Sequence, residues 1–213
     1  MQPILYYCYD AYCGWCFGNR DTMAQVYKTY NTTLSVEVLS GGMVINATPK
    51  PISLTADYIK NAYGNVQTAT GCTFGADYLW HINNPHKSDW YPSSEKPAIA
   101  MSVFKDTYPT MQLQFANDLL YALHYDGRDL CDDESYRHLL VKYNIDATTF
   151  YQKIKEKTYN DAAYAEFKVC QQLGVKGFPT LYLQLPNKAV HAITNGYTSF
   201  TIIKERIDLL LTP

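Results

Sequence analysis

Apolar and polar positions at the start of the chain predict a strand, a helix and a second strand. An uninterrupted apolar run predicts a strand over 4–9, and alternating apolar and polar positions predict another over 34–39. Between them, apolar residues recur at helical spacing over 14–30, so a helix is expected there. A β-α-β unit of this kind implies that its two strands pair in parallel through a right-handed crossover.

The middle of the chain, from about residue 53 to 170, shows little strand alternation and predicts helices. Ser53 is expected to cap the first of them, and Asp132 or Asp133 to cap a later one. Prolines and asparagines between 65 and 96 predict a loop-rich stretch. The other helices of this region are predicted over residues 96–108, 111–125, 146–158 and 161–173.

Strand patterns return near the C-terminal end. A strand over 180–185 and a tight turn lead to an antiparallel strand over 189–194. Thr198 or Ser199 is then expected to cap a last helix whose apolar positions again recur at helical spacing.

The order of the elements is therefore β-α-β, then helices, then β-β-α. This order predicts an α/β fold made of two parts. One part is a discontinuous domain of residues 1–52 and 171–213. The other is an all-helical insertion domain over 53–170.

Composition and charge exclude several classes of protein. Of the 213 residues, 47% are hydrophobic and 18% are charged, which is typical of a globular protein with a sizeable core. A net charge of −2 without any basic run indicates neither nucleic acid nor an anionic membrane surface as a partner. The chain has no apolar stretch of 18 residues, so no membrane span is predicted.

The expected location is the cytoplasm. The segment after Met1 has neither a basic start nor a cleavage site, and the many cysteines favour a reducing compartment. If a leader preceded this sequence, the periplasm becomes the expected location instead. No motif in the sequence sets the oligomeric state.

Two cysteines in the segment Cys13-Gly14-Trp15-Cys16 carry the clearest chemistry in the sequence. Their spacing lets two sulfurs on the first turn of a helix close a disulfide. Cys13 is expected at the helix N-terminus, where unpaired N–H groups favour its thiolate, the nucleophile of disulfide exchange. Cys16, one turn further, is expected to be buried and to act as the resolving thiol.

Other interpretations of this pair are weaker. A zinc site needs a second cysteine pair or suitably spaced histidines, and the remaining cysteines are isolated in sequence, so no metal site is predicted. Cys8 and Cys170 are expected to be buried and inert. Cys72 and Cys131 are expected in exposed loops, either as reduced thiols or as partners in a regulatory disulfide.

Three segments resemble the DsbA family of thioredoxin-fold proteins, and among them its FrnE-type cytoplasmic branch. They are residues 10–16 around the cysteine pair, 121–130, and 174–180 with Gly-Phe-Pro-Thr. The resemblance covers nearly the whole chain and implies a thioredoxin-like fold with a helical insertion. It also implies a cis peptide bond before Pro179, and a substrate groove shaped by Phe178, Pro179 and Thr180.

The resemblance implies a thiol–disulfide oxidoreductase that uses Cys13 and Cys16, without a bound cofactor. Its expected partners are protein or peptide thiols and disulfides, with glutathione as a further candidate. One alternative is a glutathione-dependent transferase or isomerase of the kappa or chromene-carboxylate isomerase type. Those relatives carry a serine at the position of Cys13, so the retained pair argues against them. A non-catalytic peptide-binding module is the other alternative.

The dipeptide between the thiols departs from the Pro-His of the archetypal DsbA loop. Gly14 and Trp15 bring no ionisable group near Cys13, so the reduced form is stabilised less than in a strong oxidant. We expect a reduction potential between roughly −270 and −120 mV, nearer the reducing end. Asp10 and Glu37 are candidates for a buried charge behind Cys16.

Overall fold

A computed structural model describes residues 2–212, which fold around one four-stranded mixed sheet. The strand order is β2-β1-β3-β4, with β1 parallel to β2 and antiparallel to β3, which is in turn antiparallel to β4. The predicted β-α-β and β-β-α units are therefore correct, as is the mixed α/β fold class. The strands are β1 (Ile4–Tyr9), β2 (Ser35–Ser40), β3 (Thr180–Gln184) and β4 (Val190–Asn195).

Ten α-helices and two short 3-10 turns surround the sheet in the part of the chain that the structure describes. The 3-10 turns cover Ile52–Leu54 and Asp133–Tyr136, and Asp132 caps the second through its side chain, as predicted. The first five helices are α1 (Gly14–Gly18), α2 (Arg20–Tyr30), α3 (Ala56–Thr70), α4 (Ala76–Asn83) and α5 (Glu95–Thr107). The others are α6 (Gln112–His124), α7 (Arg137–Lys142), α8 (Ala147–Lys153), α9 (Lys157–Gln172) and α10 (Phe200–Leu211).

Several details of the predicted helices are wrong, including the boundary between α8 and α9, which lies at 154–156 and not at 159–160. The helix expected over 14–30 is divided at Asn19, where α1 ends and α2 begins. Ser53 lies in a 3-10 turn and caps no helix; α3 starts later and extends to Thr70. The stretch 65–96 has loops over 71–75 and 84–94, as the turn residues predict, but it also contains the end of α3 and the unpredicted α4. Both helices bury few residues, so their apolar stripes are too sparse to stand out from the turn residues around them.

The apolar core passes continuously from the sheet into the helical part of the chain. Leu5 and Tyr7 of β1 belong to the same buried cluster as Phe104 of α5 and Phe115 of α6, whose rings stack. Burial of apolar side chains is the main favourable contribution to folding. Because one buried cluster contains residues of both predicted parts, each part stabilises the other.

A second, smaller cluster covers the opposite face of the sheet. Cys8 of β1 and Leu39 of β2 pack there against Cys170 of α9. Successive residues of a strand point to opposite faces, which is why Cys8 leaves the main core while its neighbours Tyr7 and Tyr9 join it. The prediction that Cys8 and Cys170 are buried is confirmed.

Side chains from the surrounding helices pair with the free edge of β2. Gln112 accepts a hydrogen bond from the Val38 N–H at 3.0 Å, and the Lys105 ammonium donates to the Val38 carbonyl. Glu166 accepts from the Ser40 N–H at 2.8 Å. Backbone groups that a neighbouring strand would satisfy are thus bonded by helices α5, α6 and α9. Within residues 2–212, no helix is long and apolar enough to cross a membrane.

Candidate active site

The two cysteines of the predicted redox pair lie at the start of α1, directly after β1. Cys13 is the N-cap residue, and its sulfur accepts a hydrogen bond from the Cys16 N–H at 3.3 Å. The Cys13 thiol also donates to the Phe178 carbonyl at 3.4 Å, which connects the start of α1 to the segment before β3. All six cysteines are free thiols.

Burial distinguishes the two sulfurs. Cys13 is 5% exposed and lines a pocket, whereas Cys16 is 0% exposed and faces the core. Burial raises the pKa of the Cys16 thiol well above its ordinary value, and the neighbouring Cys13 raises it further. At neutral pH, Cys16 therefore keeps its proton.

The segment before β3 reaches the site through Phe178. Its peptide bond to Pro179 is cis, and its ring lies against Gly41 so closely that a Cβ there would stand 2.0 Å from the ring. Thr180 is buried at the start of β3 and its hydroxyl donates to the Gly177 carbonyl at 2.8 Å. Of the three predicted groove residues, Phe178 lines the pocket, whereas Pro179 and Thr180 are not among the residues that form its wall.

The predicted loop residues Gly14 and Trp15 both line the pocket. Trp15 stacks on Tyr197, with ring centroids 6.2 Å apart, and so lies between the pocket and the turn that precedes α10. Gly14 faces the ring of Phe74, which a Cβ would meet at 3.4 Å. The two residues between the thiols thus contact both predicted parts of the chain: Trp15 contacts the discontinuous domain, and Gly14 contacts the helical part.

The pocket above Cys13 has a volume of about 470 Å³, which falls within the usual range of ligand sites. Most of its wall comes from the predicted helical part of the chain. The residues that lie deepest in the fold there are Ile52, Val66, Phe74, Tyr78, Trp90 and Leu123. No lining residue carries a charge.

A buried histidine supports the wall of the pocket. His124, at the end of α6, packs its ring against Phe17 of α1, Phe74 and Tyr78, with centroid distances of 5.1 to 5.7 Å. Its Nδ1 lies 3.0 Å from the Leu120 carbonyl, so that nitrogen donates. Burial lowers the pKa of His124 to about 3, and the ring is neutral at physiological pH.

Asp10 joins the site to the helical part of the chain. Its carboxylate accepts hydrogen bonds from the N–H groups of Tyr12 at 3.0 Å and Met43 at 2.7 Å, and from the Ser94 hydroxyl at 2.9 Å. Ser94 in turn accepts from the Val44 N–H at 2.9 Å. Asp10 is 2% exposed, and burial raises the pKa of its carboxyl despite these donors.

Of the two acidic candidates, only Asp10 has the expected burial. Asp10 has two opposing effects on the pKa of the Cys16 thiol: a hydrogen bond with its backbone lowers the pKa, and its charge raises it. Glu37 does not lie buried behind Cys16: its side chain is 41% exposed on β2, where it faces Lys105 and Gln112. Successive side chains of a strand point to opposite faces of the sheet, so Glu37 points away from the buried face that its neighbours in sequence occupy.

Cys72 and Cys131 form no disulfide with each other or with another cysteine. Both of these are partly exposed, as predicted, and each has its own surroundings. The Cys131 sulfur lies 3.4 Å from the Tyr12 hydroxyl, whereas Cys72 follows the end of α3. Among residues 2–212, no three His, Cys, Asp or Glu side chains are grouped so that they can hold a metal ion.

Fold and site together define a thioredoxin-like protein with a paired-thiol centre and a helical insertion. The chain belongs to the family described as DSBA-like thioredoxin domain, which its residues 5–207 match. The predicted family is therefore confirmed. By its family, the chain is a thiol–disulfide oxidoreductase.

Solved structures with this fold cover nearly the whole chain. A candidate protein disulfide isomerase from Nitrosomonas europaea is 21% identical, with a TM-score of 0.86 over 99% of this chain and 98% of that one. The cytosolic disulfide reductase DsbM from Pseudomonas aeruginosa is also 21% identical, with a TM-score of 0.75 over 97% of both chains, and has been solved with GSH as well.

The fold is shared more distantly with another kind of enzyme. A 2-hydroxychromene-2-carboxylate isomerase is 10% identical, with a TM-score of 0.63 over 97% of this chain and 94% of that one. A search of curated proteins found no match.

Proposed function

We propose that this protein exchanges disulfides with protein substrates through Cys13 and Cys16. The Cys13 thiolate attacks one sulfur of a substrate disulfide; a new S–S bond forms, the substrate bond breaks, and the released thiolate takes up a proton. Cys16 then loses its proton and attacks the Cys13 sulfur, which frees the second substrate thiol. The substrate gains two electrons and the protein retains a Cys13–Cys16 disulfide. The reverse sequence oxidises a dithiol.

One observation supports this assignment of roles above the others. The Cys13 sulfur lies at the wall of a pocket and is bonded to the Cys16 N–H and the Phe178 carbonyl, whereas the Cys16 sulfur is buried beneath it. A substrate sulfur therefore reaches Cys13 first. The same N–H is placed to stabilise a thiolate on Cys13.

Single-cysteine variants test the two roles. With a peptide disulfide as substrate, Cys13→Ser is expected to reduce turnover at least a thousandfold. Cys16→Ser is expected to accumulate a mixed disulfide at Cys13 that mass spectrometry detects, because nothing resolves it. Cys72→Ser, a thiol outside the site, serves as the control and should retain full activity. Equal activity of Cys13→Ser and the unchanged protein would refute the proposal.

Glutathione is the electron partner that we propose for the Cys13–Cys16 pair. The similarity to DsbM, which has been solved with GSH, supports it. A glutathione titration followed by trapping of free thiols is expected to give one two-electron transition, with a midpoint nearer roughly −270 than −120 mV. A midpoint near the upper value would contradict the argument from the Gly-Trp dipeptide.

The FrnE-type branch and the cytoplasmic location remain proposals. The fold similarity to a cytosolic enzyme is consistent with both. A glutathione-dependent transferase or isomerase is less favoured, because those relatives carry a serine where this chain has Cys13.

A further inference from the structure

Two buried cysteines that take no part in the exchange at Cys13 meet on the opposite face of the sheet. Cys8 of β1 and Cys170 of α9 pack together with Leu39 of β2 in one apolar cluster. The Cys170 thiol donates to the Ser40 carbonyl at 3.6 Å, and the residue before Ser40 is the register partner of Cys8 on β2. The sequence predicts two inert thiols, because nothing in it shows that they are neighbours in the fold.

The two thiols are close enough to affect each other. The pKa of the Cys170 thiol is raised, first by a hydrogen bond with the Cys8 thiol and then by burial. A disulfide requires the two sulfurs to close to about 2.05 Å, and here they start side by side in one cluster. Because a raised pKa leaves little thiolate at neutral pH, oxidation of this pair is expected to be slow.

The end of α9 covers the pair. Cys170 lies in the last turn of this helix, where the Val175 N–H closes the turn by donating to the Cys170 carbonyl at 3.0 Å. The Tyr182 hydroxyl donates to the Leu173 carbonyl at 2.7 Å and so ties this end to β3. A helix end opens locally at a lower free energy than the whole protein unfolds. Such an opening exposes an apolar cluster, which a small uncharged molecule enters far more readily than a charged one.

We propose that Cys8 and Cys170 are a second redox pair, which a small uncharged peroxide such as hydrogen peroxide converts into a disulfide between the sheet and α9. One thiolate attacks the peroxide: an S–O bond forms, the O–O bond breaks, and the leaving hydroxide takes up a proton to become water. The other thiol loses its proton and attacks the sulfenic sulfur: the S–S bond forms, the S–O bond breaks, and a second water leaves. Two thiols thus give two electrons to one peroxide molecule.

The bond can be detected in a protein without the other redox pair. In a Cys13→Ser/Cys16→Ser background, trypsin releases Cys8 and Cys170 in two different peptides, each with no other cysteine. These peptides are residues 1–20 and 169–176. After treatment with hydrogen peroxide, digestion without reductant is expected to give the two peptides joined, and dithiothreitol should separate them. Cys8→Ala in the same background should abolish the joined product. Fragment spectra of the joined peptides from the unchanged protein assign the same bond independently of these variants.

Two matched variants test the cover. Tyr182→Phe removes the hydroxyl that holds Leu173, and we expect the peptides to become joined about fivefold faster, because one lost hydrogen bond makes the opening easier. Tyr6→Phe makes the same chemical change beside the same cluster. The Tyr6 hydroxyl donates to Gln184 on the sheet at 3.1 Å and holds no part of α9, so this variant should leave the rate unaltered.

The bond should also change the stability of the protein. It connects β1 to α9 across most of the chain, so it restricts the unfolded chain more than the folded one. In the Cys13→Ser/Cys16→Ser background, the peroxide-treated protein is expected to unfold at a higher urea concentration than the reduced protein. Cys170→Ala should remove this difference.

Three results would overturn the proposal. The first is the absence of joined peptides after peroxide treatment, or their persistence in Cys8→Ala. The second is an equal rate with glutathione disulfide, which is larger and charged and so should not reach the pair. The third is an equal rate for Tyr182→Phe and Tyr6→Phe, because the end of α9 would then not be the cover. None of these results depends on whether Cys13 exchanges disulfides with substrates, so the proposal and the proposed function fail separately.

Discussion

The two sides of Cys13 contribute different things to the site. On the sheet side, its sulfur meets polar backbone groups, the Cys16 N–H and the Phe178 carbonyl, in a segment that β1 and β3 hold in place. On the helical side, it faces an uncharged wall of rings and aliphatic side chains. Under the proposed function, the reacting sulfur therefore lies between polar groups from one stretch of the chain and a pocket wall that comes mostly from another. Each can be changed while the other is preserved.

Removing the Asp10 carboxylate, which joins the two sides through its hydrogen bonds, is expected to lower stability most. Asp10→Ala leaves the buried donors of Tyr12, Met43 and Ser94 without their acceptor, and each unsatisfied group is unfavourable. We expect the free energy of unfolding, measured with urea, to fall by about 3 kcal/mol.

The matched change on the helical side is Ser94→Ala. It removes one donor to Asp10 and one acceptor for the Val44 N–H, so a smaller loss of about 1 to 2 kcal/mol is expected. If Asp10→Ala proved no more destabilising than Ser94→Ala, the carboxylate would not be the centre of this link.

Lowering the pH should reduce the free energy of unfolding, because it protonates His124 in the unfolded chain before it does so in the folded protein. Its pKa of about 3 in the folded protein lies below the 6.5 of the unfolded chain, so the unfolded state binds more protons as the pH falls. The stability that depends on a neutral His124 is thus present above pH 6.5 and is lost at lower pH. Between pH 6.5 and 4.5 we expect the free energy of unfolding to fall by about 2 to 3 kcal/mol.

Urea unfolding at a series of pH values measures this dependence. His124→Phe places another ring among Phe17, Phe74 and Tyr78 and should flatten the curve in that range. His86→Gln, at an exposed position, should leave its slope as it is. An equally steep curve for His124→Phe would exclude His124 as the source.

The smallest expected effect is a gain in stability on the helical side. Gly64 is exposed within α3, and a Cβ added there would have no atom within 4 Å. Gly64→Ala should raise the free energy of unfolding by about 0.5 to 1 kcal/mol, because alanine loses less conformational freedom in a helix. Thermal unfolding measures this gain, and unchanged peptide-disulfide turnover would show that the wall tolerates it. A loss of stability would contradict this account of α3.

The sheet and the cysteine pair were predictable because their evidence is local. An apolar run gave β1, alternation gave β2, and apolar patterns beside a tight turn gave β3 and β4. The spacing of Cys13 and Cys16 after β1 pointed to redox chemistry without any long-range information. The short helix α4 was missed because its two buried residues, Tyr78 and Ile82, define no clear stripe.

The pocket wall was not predictable, because packing between distant segments creates it. Val66, Phe74 and Trp90 come from different elements, and no spacing in the sequence shows that they meet beside Cys13. The same holds for His124, whose surroundings come from α1, α4 and the segment before α4. Asp10 and Glu37 looked alike in sequence, and only the position of each relative to the sheet separates them.

The pairing of the β2 edge with helix side chains has a consequence for contact with other chains. An open strand edge is a template on which another chain can add a strand, and such addition leads to aggregation. Here Lys105, Gln112 and Glu166 already bond the outward-facing groups of Val38 and Ser40. An incoming polypeptide is therefore denied these backbone partners on β2.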